Sequence, residues 1–351
     1  GGAANGDGLS STGGLSTAPA VAVSAAGVQY AAWTDTRSGN PQVFVATVGV
    51  DGRWTQLGGS ASGDALGAGV SRTVTAAQSP CITVDSTGAP IVAWTAALNG
   101  TFDVKVARWD AGTQAWKPLG TSLDATGISG TGTAGAARIV STAAGPVVAW
   151  LDGTAGAQRV YVRRFSNGGW NELGAGSASG NGLATGTPAA ARCQDLAIAA
   201  DGAQVALAWT QLDAAGVRQV YLKQYAGGSW DGILGSATGA GVSGRAASSL
   251  EAVVTRSEQP TLAYFNGRLF VAWKTFSDQG AALAVGSYGF GGQSFLPSFT
   301  LHDVFGAAEL PSSPQLSAGG DALRLVWVNT PLQSTRTVMF ARRFDGQHFV
   351  E

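Results

Sequence analysis

The sequence predicts an all-β fold, a six-bladed β-propeller of four-stranded antiparallel blades, from three observations. An apolar run that ends in Trp recurs six times along the 351 residues. Three further apolar segments, bounded by Gly, Asp or Asn, accompany each of these runs. The composition, with 52 Gly, 45% hydrophobic and 12% charged residues, excludes a disordered chain. A four-stranded unit repeated in this way is typical of a β-propeller.

Each predicted strand has a recurring marker. The second strand ends in the repeated Trp, at Trp33, Trp94, Trp150, Trp209, Trp273 and Trp327. The first strand begins at Pro in four blades, at Pro19, Pro80, Pro260 and Pro314. A third strand follows each Trp, and the fourth carries another aromatic residue, at Trp54, Trp116, Trp170, Trp230, Phe295 and Phe349. We interpret these aromatic residues as packing residues of the blades rather than as a row of ligand-stacking side chains.

The repeat divides a single domain, 1–351, into six blades. Their approximate bounds are 1–58, 59–120, 121–174, 175–235, 236–297 and 298–351. The chain ends within the fourth strand of the repeat and begins with the segment that follows a fourth strand in other repeats. We therefore expect the two termini to be adjacent, with blade-to-blade packing at the closure.

Loop lengths predict which end of the blades carries function. The first-to-second and third-to-fourth connections read as tight turns, whereas the second-to-third connections read as eight to ten residues and the inter-blade connections as about twenty. In an up-and-down sheet both long kinds share one face. Long loops in compact domains are usually functional, so we expect a binding site on this long-loop face.

Composition and charge limit the classes of partner that the protein is expected to bind. A net charge of −1 argues against a nucleic-acid partner, and the absence of a long apolar run argues against a membrane span. Near-zero charge only weakly opposes self-association. Abundant Gly, Ala, Ser and Thr, no leading Met and no signal-peptide pattern predict a processed or excised, secreted or cell-surface bacterial protein.

Several segments resemble repeats of secreted and surface-anchored bacterial β-propellers. These are AAWTDTRSGNPQVFV, PCITVDSTGAPIVAW and VVAWLDGTAGAQRVYVRRFSNGGWNELG. The turns at 51–54 and 167–170 are similar to degenerate Asp-boxes of sialidase-type propellers, and the strand pattern is similar to that of fucose-binding propeller lectins. The resemblance implies the fold. It leaves the activity open, because such propellers include lectins, hydrolases, lyases and scaffolds.

Eight polar residues break the repeat and form the predicted ligand-binding set. We assign three to second-to-third loops and five to inter-blade loops of the long-loop face: Asp35, Arg37, Asp152, Arg192, Arg256, Glu258, His302 and Asp303. Arg, Asp and Glu groups suit sugar hydroxyls or carboxylates. His348 is expected in a tight turn on the opposite face, far from His302.

No catalytic residue, metal site or cofactor is predicted. Two His and two Cys provide little for a metal centre, and one acidic residue per loop leaves Ca²⁺ only a weak alternative. Glycosidase chemistry would need a carboxylate pair, such as Asp195 or Asp303 with Glu251 or Glu258. Cys81 and Cys193 lie a whole blade apart, so we expect buried free thiols.

Three functions remain open on this basis. The first is a non-catalytic extracellular or cell-surface propeller that binds a glycan or a protein. The second is a structural or assembly subunit of a surface or extracellular structure. The third is a carbohydrate-active enzyme, a glycosidase or lyase; we favour a protein without catalytic activity. The identity of the ligand and the oligomeric state do not follow from the sequence.

Overall fold

The chain is an all-β, six-bladed β-propeller, as predicted. The computed structural model describes residues 8–10, 13–49, 51–60, 69–73, 75–153, 157–184, 192–244, 253–278, 280–289, 298–306, 309–331 and 336–351. Within these ranges lie six antiparallel sheets of four strands, each formed by consecutive strands of the chain. No helix in the same ranges has the length and apolarity needed to cross a bilayer. Residues 1–7 lie outside the described residues, so the adjacency of the termini stays a prediction.

Two compact units make up the chain. The first, residues 1–154 and 161–173, holds blades one to three, apart from the start of β11. Its strands are β1 (Ser16–Val23), β2 (Gln29–Asp35), β3 (Gln42–Val48), β4 (Trp54–Gln56), β5 (Ala77–Val84), β6 (Pro90–Leu98), β7 (Thr101–Asp110), β8 (Ala115–Pro118), β9 (Gly135–Thr142), β10 (Gly145–Asp152), β11 (Arg159–Ser166) and β12 (Gly169–Glu172). Their first strands are neighbours, β1 beside β5 and β5 beside β9.

The second unit, residues 155–160 and 174–351, holds blades four to six. Its strands are β13 (Gln194–Asp201), β14 (Gln204–Leu212), β15 (Arg218–Ala226), β16 (Ser229–Asp231), β17 (Val254–Phe265), β18 (Arg268–Ser277), β19 (Gly280–Gly289), β20 (Ser298–Gly306), β21 (Glu309–Gly319), β22 (Ala322–Pro331), β23 (Val338–Phe344) and β24 (Phe349–Val350). Here too the first strands are neighbours, β13 beside β17 and β17 beside β21.

The repeated Trp of each second strand lies opposite a β-bulge in the first strand. In blade one, Thr17 pairs with Thr34 and Ala20 with Ala32, so Ala18 and Pro19 together oppose the single residue Trp33. The same register shift occurs in the other five blades. The first bulge residue is left-handed in every blade, at Ala18, Ser79, Ala136, Asp195, Gln259 and Ser313, with φ between 49° and 54°. Two residues opposing one is the definition of a bulge, which bends the strand.

The bulge explains the recurring Pro. Pro19, Pro80, Pro260 and Pro314 each occupy the second bulge position, where no ladder hydrogen bond is required. The Pro therefore lies inside the first strand rather than at its start. The tryptophans opposite the bulges are almost fully buried, with exposures of 0–5%.

A second repeated contact joins blade one to blade two and blade two to blade three. The fourth-strand Trp116 and Trp170 donate their indole N–H groups to the backbone carbonyls of Leu57 and Leu119 in the preceding blade, at 3.3 and 2.9 Å. Within its own blade the same aromatic residue packs against a third-strand aromatic, as Trp170 does on Phe165 at 5.5 Å. The Leu-Gly pairs at 57–58 and 119–120, which follow the fourth strands of blades one and two, thus contact the aromatic pair of the next blade.

Buried serines hold the inter-blade connections to the third strand. Three hydroxyls each donate to a third-strand carbonyl at 2.6–2.8 Å, those of Ser60, Ser122 and Ser236. Three more accept a third-strand N–H and donate to the side chain before it, those of Ser71, Ser129 and Ser243. Gly127, two residues before Ser129, must lack a side chain because a Cβ there would lie 2.1 Å from the Val104 carbonyl oxygen. These contacts indicate a packing role for the parts of the inter-blade connections in which the six serines lie.

The loop lengths differ from the prediction in two respects. The second-to-third connections span two to six residues rather than eight to ten, because strands two and three extend into them; β6 and β7, for example, are joined by Asn99 and Gly100 alone. In blade five the long and short connections exchange places. Eight residues separate the end of β19 from the start of β20 at Ser298, and only two residues then separate β20 from β21.

The fourth strand of blade five therefore lies later in the chain than predicted. Phe299 pairs with Tyr288, the register position that Trp170 and Phe165 occupy in blade three. Phe299, rather than Phe295, is thus the fourth-strand aromatic residue, and Phe295 lies outside the described residues. The predicted division at residue 297 falls before this strand instead of after it.

The packing predicts a large difference between two tryptophans of blade four. Trp209 is fully buried opposite its bulge, whereas Trp230 is only partly buried on the fourth strand. Replacing Trp209 by Ala leaves an unfilled core volume, and we expect it to lower the free energy of unfolding by about 3–5 kcal/mol. Trp230→Ala should cost clearly less. Urea unfolding followed by circular dichroism measures both, and equal losses would contradict the bulge as the principal packing site.

The cysteines are free and buried, as expected. Burial raises the pKa of both Cys81 and Cys193 to about 12, so at neutral pH neither provides a reactive thiolate. Ellman's reagent should therefore titrate almost no thiol in the native protein and two equivalents after unfolding in urea. Reaction of either thiol in the native state would contradict this prediction.

Candidate functional site

Asp35 and Arg37 form a buried clamp. Asp35 is the last residue of β2 rather than a loop residue, with its side chain fully buried. Its carboxylate accepts bonds from Arg37 Nη2 at 3.0 Å and Ser16 Oγ at 2.8 Å. Arg37 also donates to the Ser10 carbonyl and lies over the Phe44 ring at 4.3 Å. The pair joins the end of β2 to Ser16 of β1 and to the segment before it, so both side chains have structural roles.

Asp152 likewise lies at the end of a strand and is 4% exposed. It accepts the indole N–H of Trp150 at 2.9 Å and the hydroxyls of Thr131 and Thr133 at 2.5 and 2.6 Å. In blade four, Gln211 accepts from Trp209 in the same way, at 3.2 Å. Asp152 thus pairs with the buried indole of Trp150 and with two hydroxyls of the connection that leads into its blade.

His302 and Asp303 lie in β20, not in an inter-blade loop. The two ring nitrogens of His302 contact Ser287 Oγ and the Gln347 carbonyl, both at 2.8 Å. Asp303 accepts the Phe349 backbone N–H at 2.7 Å and contacts His348 Nδ1 at 3.2 Å. Phe349 has no ring N–H, so it cannot form the indole bond that joins other blades. His302 and Asp303 provide the joint between blades five and six instead.

The predicted distance between the two histidines is therefore wrong. His302 contacts the carbonyl of Gln347, the residue before His348, and His348 contacts Asp303, the residue after His302. The two histidines therefore lie close together. Asp303 is also remote from Glu258, since two strands separate β17 from β20 and adjacent strands lie about 4.8 Å apart. The eight predicted residues accordingly belong to several separate places rather than to one site.

Arg256 and Glu258 do lie together, though in β17 rather than in a loop. Glu258 contacts Arg256 at 3.5 Å and Lys274 at 3.7 Å. Both cations lie over the ring of Phe276, at 3.8 and 4.5 Å from its centre. Arg192 lies before β13, exposed, and its carbonyl accepts a bond from Arg218 at 3.3 Å.

The bulges of blades four to six provide a polar cluster next to Glu258. We call Asp195, Gln259 and Ser313 the bulge site. The backbone N–H of Gln259 donates to Asp195 Oδ2 at 3.3 Å, and the backbone N–H of Ser313 donates to Gln259 Oε1 at 2.9 Å. Thr210 Oγ1 also donates to Asp195 Oδ2, at 3.2 Å. Each bulge side chain thus holds the next bulge, and three first strands are fixed relative to one another.

The bulge site retains unused hydrogen-bonding capacity. Asp195 Oδ1, the Gln259 amide nitrogen and the Ser313 hydroxyl have no hydrogen bond within the described residues. They present an acceptor, a donor and a group that does both. The cluster is the strongest candidate site in the second unit.

The first unit lacks this chemistry. Its bulge residues are Ala18, Ser79 and Ala136, which supply one side-chain hydroxyl among them. Sequence reasoning considered Asp195 only as a possible half of a carboxylate pair and did not identify Gln259 or Ser313. The available signal was the residue before the recurring Pro, which is Gln in blade five and Ser in blade six.

The residues that the structure describes do not form a metal centre. Among the described ranges, no group of three His, Cys, Asp or Glu side chains is placed to hold a metal ion. Glu251, considered from the sequence as half of a carboxylate pair, lies outside the described residues.

Comparison with known proteins supports the fold alone. No protein-family model matches the chain, and neither does any curated protein. A protein of unknown function from Dyadobacter fermentans DSM 18053 is similar over 94% of both chains, with a TM-score of 0.52 and 9% identity. Hadza microbial sialidase Hz136 is 10% identical, with a TM-score of 0.48, over 93% of this chain and 65% of its own length. An endo-arabinase from Bacteroides thetaiotaomicron VPI-5482 is 14% identical, with a TM-score of 0.43, over 77% and 95%. The latter two likenesses are too low to carry a functional argument.

The joint at His302 predicts a pH-dependent stability. Burial lowers the pKa of His302 from its ordinary value of 6.5. The unfolded chain therefore binds a proton more readily there than the folded chain, so the stability that this group contributes is present above about pH 6.5 and is lost as the pH falls. Urea unfolding at about pH 7.5 and about pH 5.5 should show this loss.

The two histidines of the chain allow a matched control for that measurement. His302→Gln should reduce the loss of stability between the two pH values, whereas His348→Gln should retain it. The opposite pattern, with the loss removed by His348→Gln, would contradict the assignment to His302.

Proposed function

We propose that the protein is a non-catalytic binding propeller that takes a glycan at the bulge site. The observation that carries the proposal is the set of three unused polar atoms on three neighbouring first strands. An acceptor, a donor and a hydroxyl in a fixed arrangement suit the hydroxyl groups of a sugar, each of which both donates and accepts.

The site is supported by rigid elements. Asp195, Gln259 and Ser313 lie within strands, and each is held by a hydrogen bond to or from a neighbouring bulge. Groups that are already ordered lose little entropy on binding. Arg256, about half exposed beside Glu258, is available to extend the contact toward a charged substituent of the glycan.

Two alternative functions, a hydrolase and an assembly subunit, can be distinguished by experiment from a non-catalytic glycan-binding protein. Asp195 with Glu258 is one of the carboxylate pairs considered from the sequence, and a hydrolase is tested by incubating bound glycans and analysing the products by chromatography. An assembly subunit would instead self-associate with no glycan dependence, which light scattering across concentrations detects. Action outside the cell or at a bacterial surface belongs to the same proposal.

The repeat offers a matched pair of substitutions. Ser313 and Ser79 occupy the same bulge position with φ of 52° and 54°, but only Ser313 belongs to the bulge site. On a glycan array, followed by calorimetry with the glycan that binds, Ser313→Ala should weaken binding about five- to tenfold, the effect of roughly one hydrogen bond. Gln259→Ala should weaken it further, and Ser79→Ala should leave it unchanged.

The contrary results are equally definite. Binding of no glycan, or equal effects of Ser313→Ala and Ser79→Ala, would overturn the proposal. Capture of a protein in place of a glycan would support the protein-binding alternative, and released sugar products would support the enzyme.

A further inference from the structure

A cavity lies at the end of the three first strands that is opposite to the bulge site. Its volume is about 270 Å³, and the turns between first and second strands of blades four to six line it. The lining residues are Ala200, Asp201, Tyr264, Phe265, Asn266 and Ala318–Gly320. Asp195 of the bulge site and Asp201 lie near opposite ends of β13, so the two places are separate.

Blade two shows what a carboxylate at this position can bind. In blade two the corresponding residue is Asp85, since each lies four positions after the residue that follows the bulge. Asp85 forms an ion pair with Arg108 Nε at 2.6 Å. Although burial acts to raise the pKa of Asp85, hydrogen bonds from Thr87 and Arg108 hold it below its ordinary value. In blade two, therefore, the carboxylate is paired with a guanidinium group of the chain itself.

Blade four lacks that guanidinium. The position of Arg108, two residues beyond the third-strand partner of Ala93, corresponds to Gln224, two residues beyond the partner of Ala208. Gln224 donates to Tyr264 Oη at 2.8 Å and Gln204 Oε1 at 3.3 Å instead of to Asp201. Within the described residues Asp201 has no ion-pair partner.

The other lining groups favour a hydroxylated ligand. Burial raises the pKa of Tyr264 to about 12, so its hydroxyl keeps its proton at neutral pH. Its oxygen accepts from Gln224, which leaves the hydroxyl hydrogen to donate elsewhere. Asn266 adds an exposed amide, and Gly319 and Gly320 leave the opposite wall without side chains.

We propose that this cavity binds a small ligand with an ammonium group next to a hydroxyl, the chemistry of an amino sugar. The ammonium group lies against Asp201, in place of the guanidinium that Arg108 supplies in blade two, and the neighbouring hydroxyl accepts from Tyr264. The volume is slightly below the roughly 300 Å³ at which pockets for drug-sized ligands begin, so the ligand is about the size of one monosaccharide. The inference does not rest on glycan binding at the bulge site.

The test uses three probes that differ at one position. Glucosamine carries the ammonium group, N-acetylglucosamine carries an uncharged amide in its place, and glucose carries a hydroxyl. Calorimetry or ligand-observed NMR at low salt should show binding of glucosamine at least tenfold tighter than that of the other two. Equal binding of the three, or none, would overturn the proposal.

Two variants locate the binding. Asp201→Asn removes the charge and should abolish the preference for glucosamine. Gln224→Arg restores the pair found in blade two and should exclude glucosamine while Asp201 is retained. Asp231→Asn, an exposed acid of the same blade, is the control and should bind as the parent does. Circular dichroism confirms that each variant is folded.

The two proposals fail separately. Ser313→Ala should not change glucosamine binding here, and Asp201→Asn should not change glycan binding at the bulge site. Glucosamine binding that responds to Ser313→Ala but not to Asp201→Asn or Gln224→Arg would overturn the assignment to this cavity.

Discussion

The packing of one tryptophan against two residues is the constraint on which each blade depends. The second-strand Trp, at Trp33 and its five counterparts, requires the space of a bulge in the first strand. The bulge needs one residue in left-handed backbone and admits Pro beside it. It also changes the direction of the strand at one end. The same feature that fills the core thus produces a row of irregular positions where side chains other than packing residues are tolerated.

Neighbouring blades are joined by different hydrogen bonds in different parts of the molecule. Trp116 and Trp170 donate indole N–H groups to the preceding blade, whereas blade six has Phe349 and relies on His302 and Asp303 of blade five. A buried backbone group must be paired by some donor or acceptor. When the usual aromatic donor is lost, the neighbouring strand supplies another. Residues that break the repeat therefore often restore a bond instead of creating a ligand site.

The same reasoning separates the polar residues with structural roles from those with unused capacity. Asp35 and Asp152 break the repeat, but buried donors of their own blade occupy them. Asp195 also breaks it, whereas Asp201 matches Asp85 of blade two but lacks its partner, and each keeps an oxygen without a partner in the described residues. Both lie in the second unit, on the first strands of blades four to six. Replacement of a partner, as of Arg108 by Gln224, is a clearer indication of a site than the presence of a charged residue.

The sequence by itself determined the number of blades and the strand content, because the Trp, Pro and Gly markers act over a few residues and recur six times. Only the tertiary structure decided the position of β20, the partners of His302 and Asp303, and the grouping of Asp195 with Gln259 and Ser313. The bonds of His302 and Asp303 to blade six, and the grouping of the bulge site, join residues 45 to 64 positions apart, whereas pairing with β19 places β20. Local patterns carry no information about such pairs, since the choice among acceptors is made when neighbouring blades pack.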